Sequence, residues 1–310
     1  MSALRLSSGV IFMSVLFCSC CTDGSEGPFG WCVPDTVAAP NVCSERFGAS
    51  WHPGGSPSLA ANGFLWPHYV ADTLQFNVRF LNGDEWQRQQ VERYATEWTT
   101  ASNGKLKIKF LQDEASEFSI IRICFQWDGP SWSFVGSNTD TNNQDSTTMM
   151  FGWVDHAHDS LEIRSVILHE FGHAFGFIHE HQQPNANIPW NRDSAITYYM
   201  RLNPTWNEDD VEEYVFKRYE STETNSSKYD RWSIMHYSIP QNLTIGDFAI
   251  GLRTRLSRTD IGFLRKVYPL EACHNATNCY VNNKGERTSA PLEFAKALES
   301  QGGTIVVGLK

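Results

Sequence analysis

The run His169-Glu170-Phe171-Gly172-His173-Ala174-Phe175-Gly176-Phe177-Ile178-His179 constrains this chain more than any other stretch of it. Read as a helix, it sets His169 and His173 four residues apart, so both imidazoles leave one face. Two imidazoles on one face can hold a single zinc ion. Glu170, one position round, reaches water beside the metal rather than the metal itself. Gly176 lets the backbone turn out of the helix, because glycine takes positive φ without steric cost. That turn returns His179 as a third ligand. Three histidines leave a fourth position open, which marks a catalytic rather than a structural site with one zinc per chain.

The rest of the composition is compatible with such an enzyme and argues against other classes. The chain has 310 residues, 41% of them hydrophobic and 19% charged, enough for one large or two ordinary domains. A formal net charge of -10 without a long basic run argues against nucleic acid or an anionic membrane as the main partner. Residues 1–21 read as a secretory signal peptide. Arg5 precedes the apolar run Gly9–Phe17, and small residues follow at Cys18-Ser19-Cys20-Cys21. A lipid anchor through one of those cysteines is the other reading of that segment. The apolar run is too short to span a bilayer and no later stretch is long enough, so no stable membrane insertion is expected. The protein is expected to be secreted and extracellular.

Eight cysteines in an exported chain favour disulfides. Cys32–Cys43 and Cys273–Cys279 are the simplest local pairs, and Cys124 joined to a C-terminal cysteine is equally allowed. Residues 22–63 are rich in Gly, Pro, Ser and Ala and carry no helical or alternating period. They read as a pro-segment or as an ordered lead-in over the domain. If they keep the enzyme latent, Cys32, Asp35 and Cys43 are candidates to fill the open zinc position.

From Trp66 the pattern becomes regular. Thr73–Phe80 alternates as a strand, Asn82-Gly83-Asp84 turns, and Val91, Tyr94, Ala95 and Trp98 fall at helical spacing. Leu106–Phe110, Ser119–Phe125 and Trp132–Val135 read as further strands. Thr148–Trp153 reads as a short edge strand placed to line a substrate groove. Asp159 and Glu162 have capping-box spacing ahead of a helix that buries Ile163, Val166, Ile167, Phe171 and Ala174. His156 and His158 are loop histidines near that cap. Ser194–Met200 and Glu208–Arg218 read as helices. The fold class expected is α+β, a twisted mixed sheet with helices packed on it, one of them the zinc-binding helix.

Downstream lies Ser233-Ile234-Met235-His236-Tyr237-Ser238. With the zinc motif, this run resembles the metzincin metallopeptidases, and within them the astacin family. The resemblance covers roughly Trp66 to Pro269. It implies a C-terminal subdomain carrying a methionine turn at Met235 beneath the metal, with Tyr237 as a displaceable fifth ligand. Glu180, directly after the last histidine, also fits that family, although His181-Gln182-Gln183 stand where an arginine is usual. Leu256–Ile261 resembles the start of the family's last helix, with Ser257 and Asp260 able to cap it.

The domains expected are thus 1–21, signal peptide; 22–63, pro-segment or lead-in; 64–269, astacin-like catalytic domain; and 270–310, a C-terminal extension that clamps it. The function implied is a zinc-dependent endopeptidase acting on proteins or peptides. Zinc-activated water is the nucleophile, Glu170 the general base, and Tyr237 the stabiliser of the oxyanion. The rival from another class is a secreted binding protein that keeps the fold without catalysis.

Overall fold

Parallel strands buried on both faces organise the domain. A computed structural model describes residues 43–46, 64–69, 73–112, 116–127, 130–139, 143–219, 228–270, 279–282, 287–289 and 304–306, all within the unit Pro40–Lys310. The expected signal peptide and most of residues 22–63 lie outside them, as do Cys273 and the expected C-terminal helix at 291–300.

The chain order is β1 (Cys43–Arg46), β2 (His68–Tyr69), β3 (Thr73–Phe80), α1 (Glu85–Ala101), β4 (Leu106–Phe110), β5 (Ile121–Phe125), β6 (Ser131–Phe134), β7 (Met149–Phe151), α2 (Ser160–Ala174), α3 (Arg192–Leu202), α4 (Glu208–Val211), α5 (Arg258–Val267), β8 (Cys279–Val281), β9 (Arg287–Ser289) and β10 (Thr304–Val306). The main sheet runs β1-β6-β7-β5-β3-β10, with β4 also on β3. Every pairing in it is parallel except β6 against β7. β3, α1 and β4 form a β-α-β unit in which the helix returns the chain for parallel pairing.

α1 forms where the apolar spacing predicts. Asp84 caps it, accepting from Gln87 N at 2.8 Å while the Gln87 side chain accepts from Asp84 N. Val91, Tyr94, Ala95 and Trp98 are buried on one face. The helix stops where Asn103 and Gly104 take φ of 54° and 81°. Trp98 then ties α1 to α2 by donating from Nε1 to Leu168 O at 3.0 Å. Phe175, just past α2, meets Phe76 of β3 and Trp98 edge-on at centroid separations of 5.0 and 5.5 Å. Trp66 Nε1 and Tyr268 Oη donate to Ala174 O and Phe175 O at 2.9 and 2.7 Å, satisfying carbonyls at the helix end. The end of the histidine helix is therefore held from three directions.

Three expectations are corrected. Met149–Phe151 is not an edge strand: β7 is paired on both sides, by β5 and β6, and β6 is followed by β1, the outer strand on that side. The segment after Glu208 makes one α-turn, widens at Glu212–Phe216 into a π-helical turn and then extends, so it is not one helix. Cys124, on β5, takes part in no disulfide.

A second apolar cluster gathers Ile188, Ala195, Tyr199, Val215, Tyr237, Ile239 and Ile250 in the C-terminal half. Ile234 and Met235 belong to the first cluster, with α2. The segment 234–237 thus bridges the two cores. Beyond Leu270, β8 pairs with β2 and β10 with β3, which joins the C-terminal region to the domain's own strands.

Candidate metal centre

α2 begins as its sequence predicts. The Asp159 carboxylate accepts from Leu161 N and Glu162 N at 2.7 and 2.9 Å, and Glu162 accepts in return from Asp159 N. Ile163, Val166, Ile167 and Phe171 are buried against the sheet side, which fixes the rotation of the helix and hence the direction of His169 and His173. At the far end Gly176 takes φ +91°. Its N–H donates to His173 O, and that of Phe177 to Gly172 O, at 2.8 and 2.9 Å, closing the helix and sending the chain back past it.

That return brings His179 to the other two. Nε2 of His173 lies 3.1 Å from Nε2 of His169 and 3.2 Å from Nε2 of His179. The opposite ring nitrogens settle the tautomers. His169 Nδ1 is 2.8 Å from Ile234 O, and His173 Nδ1 is 2.8 Å from Phe177 O. A carbonyl only accepts, so both Nδ1 atoms carry the proton and both Nε2 atoms present a lone pair. Lone pairs converging this closely repel one another unless a cation lies among them. Nitrogens bound tetrahedrally to zinc at about 2.0–2.1 Å stand about 3.3 Å apart, so the spacing fits that ion. Burial pushes the His179 imidazole well below its ordinary pKa, with help from His169, and the neutral form is the ligand form.

Glu170 is fully buried, next to His169 on the same helix. Tyr237 stands against the cluster, its ring centroid 4.3 Å from that of His179 and 4.2 Å from that of His181, on which it stacks. The Tyr237 hydroxyl donates to the backbone carbonyl of Cys43. Glu180 accepts from Asp230 N at 2.6 Å, and burial raises its pKa to about 8. His156 and His158 take no part: His156 lies on Trp86, and His158 pairs with Asp155 at 2.9 Å.

The segment 233–236 is a tight turn built on Asp260. The Asp260 carboxylate accepts from Ser233 Oγ at 2.7 Å and from Ile234 N at 2.9 Å, and Ser233 Oγ in turn accepts from Met235 N at 3.0 Å. The turn then offers Ile234 O to His169, Met235 O to Glu180 N and the Met235 sulfur to α2. The sequence assigned Asp260 only as a helix cap; its hold on the turn depends on chain packing and left no local signal. Gly172 does carry a local signal: a glycine inside a buried helix, costly by about 1 kcal/mol, is a sign of close packing.

One further side chain joins the histidines. The sulfur of Cys43 and the ring nitrogens of His169, His173 and His179 all lie within 4.8 Å of one another, and all four residues are buried. Of the three residues named as candidates to fill the open position, Cys43 lies beside the histidines. Cys32 and Asp35 lie outside the described residues.

A mixed sheet backed by helices, one of which carries two of three converging histidines, defines a fold of the metzincin metallopeptidase type. A family model described as Astacin, a peptidase family, matches residues 77–269, and the chain belongs to that family. Human Tolloid-like protein 1 is 36% identical over 125 residues, covering 35% of this chain but only 11% of that protein. Protein SpAN of Strongylocentrotus purpuratus is 30% identical over 162 residues, covering 48% of this chain and 23% of its own length. The solved structure of myroilysin superposes with a TM-score of 0.61 at 34% identity, covering 67% of this chain and 97% of that one. The chain therefore matches nearly all of the solved relative and a small share of the curated ones.

Proposed function

We propose that the chain is a secreted zinc-dependent endopeptidase that hydrolyses peptide bonds in proteins or peptides. The observation that carries this reading is the convergence of three Nε2 atoms beside a buried glutamate. Membership of a peptidase family supports it. His169, His173 and His179 would hold zinc, which when bound would supply a Lewis acid to acidify water and polarise a carbonyl. Glu170 accepts the proton of the attacking water and later delivers it to the leaving amine. The Tyr237 hydroxyl, once it no longer donates to Cys43, is placed to donate to the developing oxyanion. The side of β6 along which β1 lies would suit an extended substrate once the N-terminal segment is removed, because such a peptide gains main-chain hydrogen bonds by adding as a strand. Residues 1–21 act as the export signal, 64–269 as the catalytic domain with Met235 in a turn beneath the metal, and 270–310 as an extension. Among the described residues no helix is long and apolar enough to cross a membrane.

The test is metal analysis and peptide hydrolysis on the secreted protein after removal of its N-terminal segment. One zinc per chain, chelator-sensitive cleavage, and a Glu170→Gln variant that keeps zinc but loses turnover are expected. Cleavage by Glu170→Gln at the unaltered rate removes Glu170 from the role of base. Absence of both zinc and chelator-sensitive cleavage favours a silent binding protein.

A further inference from the structure

A cavity of about 370 Å³ opens in the C-terminal half, and none of the three converging histidines lines it. Its volume is at the lower end for small-ligand sites, about 300–1,000 Å³. Ala186 and Ile188 give it an aliphatic side. Trp190 and Phe216 give it an aromatic corner, meeting edge-on with centroids 5.5 Å apart. Phe216 closes the π-helical turn Glu212–Phe216, a kind of turn that gathers at functional sites. Two side chains just after His179 brace that turn. His181 Nε2 donates to Tyr214 O at 3.1 Å, and Gln182 Nε2 to Glu213 O at 3.0 Å. The His181 proton is therefore on Nε2, which leaves Nδ1 a buried acceptor with no partner among the described residues.

Two arginines reach the cavity, and they differ in what they have left to offer. Arg192 lies over the Phe216 ring, 4.2 Å from its centroid, and pairs with the Glu212 carboxylate. Among the described residues Arg218 bonds only to Asn187, its Nη1 donating to Oδ1 at 2.7 Å. That bond steadies the guanidinium and leaves its Nε–Nη2 edge open. This is an edge that takes a carboxylate through two parallel hydrogen bonds.

We propose that the cavity binds the free C-terminal residue of a peptide, with its α-carboxylate on Arg218 and its apolar side chain against Ile188, Trp190 and Phe216. The two kinds of lining select that ligand. A simple anion leaves the aliphatic and aromatic surface wet, and a neutral apolar group leaves the Arg218 edge unused. An aspartate or glutamate side chain has the carboxylate but little apolar surface to bury. A C-terminal leucine or phenylalanine carries both on one residue. The peptidase reaction proposed above would create such an end at each cleavage, but the binding does not depend on that reading. His181 both lines the cavity and stacks on Tyr237, so the pocket stands beside the metal centre without sharing its ligands.

Saturation-transfer NMR on the full-length protein tests this with N-acetyl-leucine as the probe. N-acetyl-leucinamide supplies the side chain without the charge, and acetate the charge without the side chain. The acid is expected to bind with a Kd on the order of millimolar, and each comparison compound about 10–100-fold more weakly. Arg218→Gln, at an exposed position, is expected to weaken binding of the acid by the same factor. Protein stripped with a chelator is expected to bind the acid as the zinc form does. No transfer from the acid, equal affinity for acid and amide, or equal affinity of wild type and Arg218→Gln overturns the site. Acetate binding as tightly as the acid overturns the assignment of a C-terminal residue. Binding that disappears with the metal puts the carboxylate on zinc, which overturns the cavity site and leaves the peptidase reading standing. Binding to stripped protein, with no zinc found in the native sample, supports the cavity site and counts against the peptidase.

Discussion

A Cβ placed on Gly172 would stand 2.3 Å from Sδ of Met235. Glycine at the position before His173 is what lets the turn at 233–236 press directly against the histidine helix. The Cζ2 atom of Trp98, 3.3 Å from the same point, leaves the methionine little space into which to retreat. Gly172→Ala is therefore expected to cost about 1–3 kcal/mol by overpacking. Met235→Ala is expected to cost about 2–5 kcal/mol by leaving a cavity. The double variant should be more stable than the sum predicts, because each change relieves the defect left by the other. Urea unfolding of the four proteins measures this, and additivity within about 0.5 kcal/mol would deny the contact its role.

Asp260 supports the metal centre without touching it. Its carboxylate holds Ser233 and Ile234, and the Ile234 carbonyl holds the Nδ1 proton of His169. Asp260→Ala leaves buried donors without acceptors, at a cost of about 3 kcal/mol or more. Zinc affinity should fall with it by about 10–100-fold, because His169 loses the fixed partner that orients its ring. A competitive chelator titration reads the affinity. Unchanged affinity in a destabilised variant would confine Asp260 to holding the fold.

Burial gives the turn a pH dependence. Burial is the main cause that lowers the His236 pKa to about 4; its Nδ1 bond to the Tyr237 carbonyl opposes the shift, and Arg253 and Arg231 add to it. Above pH 6.5, the ordinary value, neither folded nor unfolded chain protonates this residue, and its share of stability is fully present. As pH falls from 6.5 towards 4, the unfolded chain takes up a proton that the folded one refuses, and that share, of order 3 kcal/mol, is lost. His236→Gln should flatten the fall in stability between about pH 6.5 and pH 4 relative to wild type, the buried His179 and His181 contributing equally to both. Urea unfolding across that range decides it, and parallel curves would show that His236 is not the group.

Tyr237→Phe removes one hydroxyl and keeps the ring packed on His179 and His181. In protein freed of its N-terminal segment, kcat should fall by about 10²–10³ with zinc content unchanged. A fall confined to KM would make the hydroxyl a substrate-binding group rather than a stabiliser of the oxyanion.

Local chemistry determined much of this protein. The capping box at Asp159 and Glu162, the buried stripe from Ile163 to Ala174, the four-residue spacing of His169 and His173 and the positive φ of Gly176 all follow from residues within a few positions of one another. Helical hydrogen bonds and side-chain spacing act over that same range, so α1, α2 and α5 could be read directly. Strand order could not. Met149–Phe151 is short and apolar, and nothing within it says whether it has one neighbour or two. The hold of Asp260 on the turn, the fit of Met235 against Gly172 and the approach of Cys43 to three histidines join residues distant along the chain. Such contacts depend on how the finished elements pack, and packing selects among many cysteines and acids that look the same in sequence. The sequence specified the three histidines; the tertiary structure decided what supports them and what lies against them.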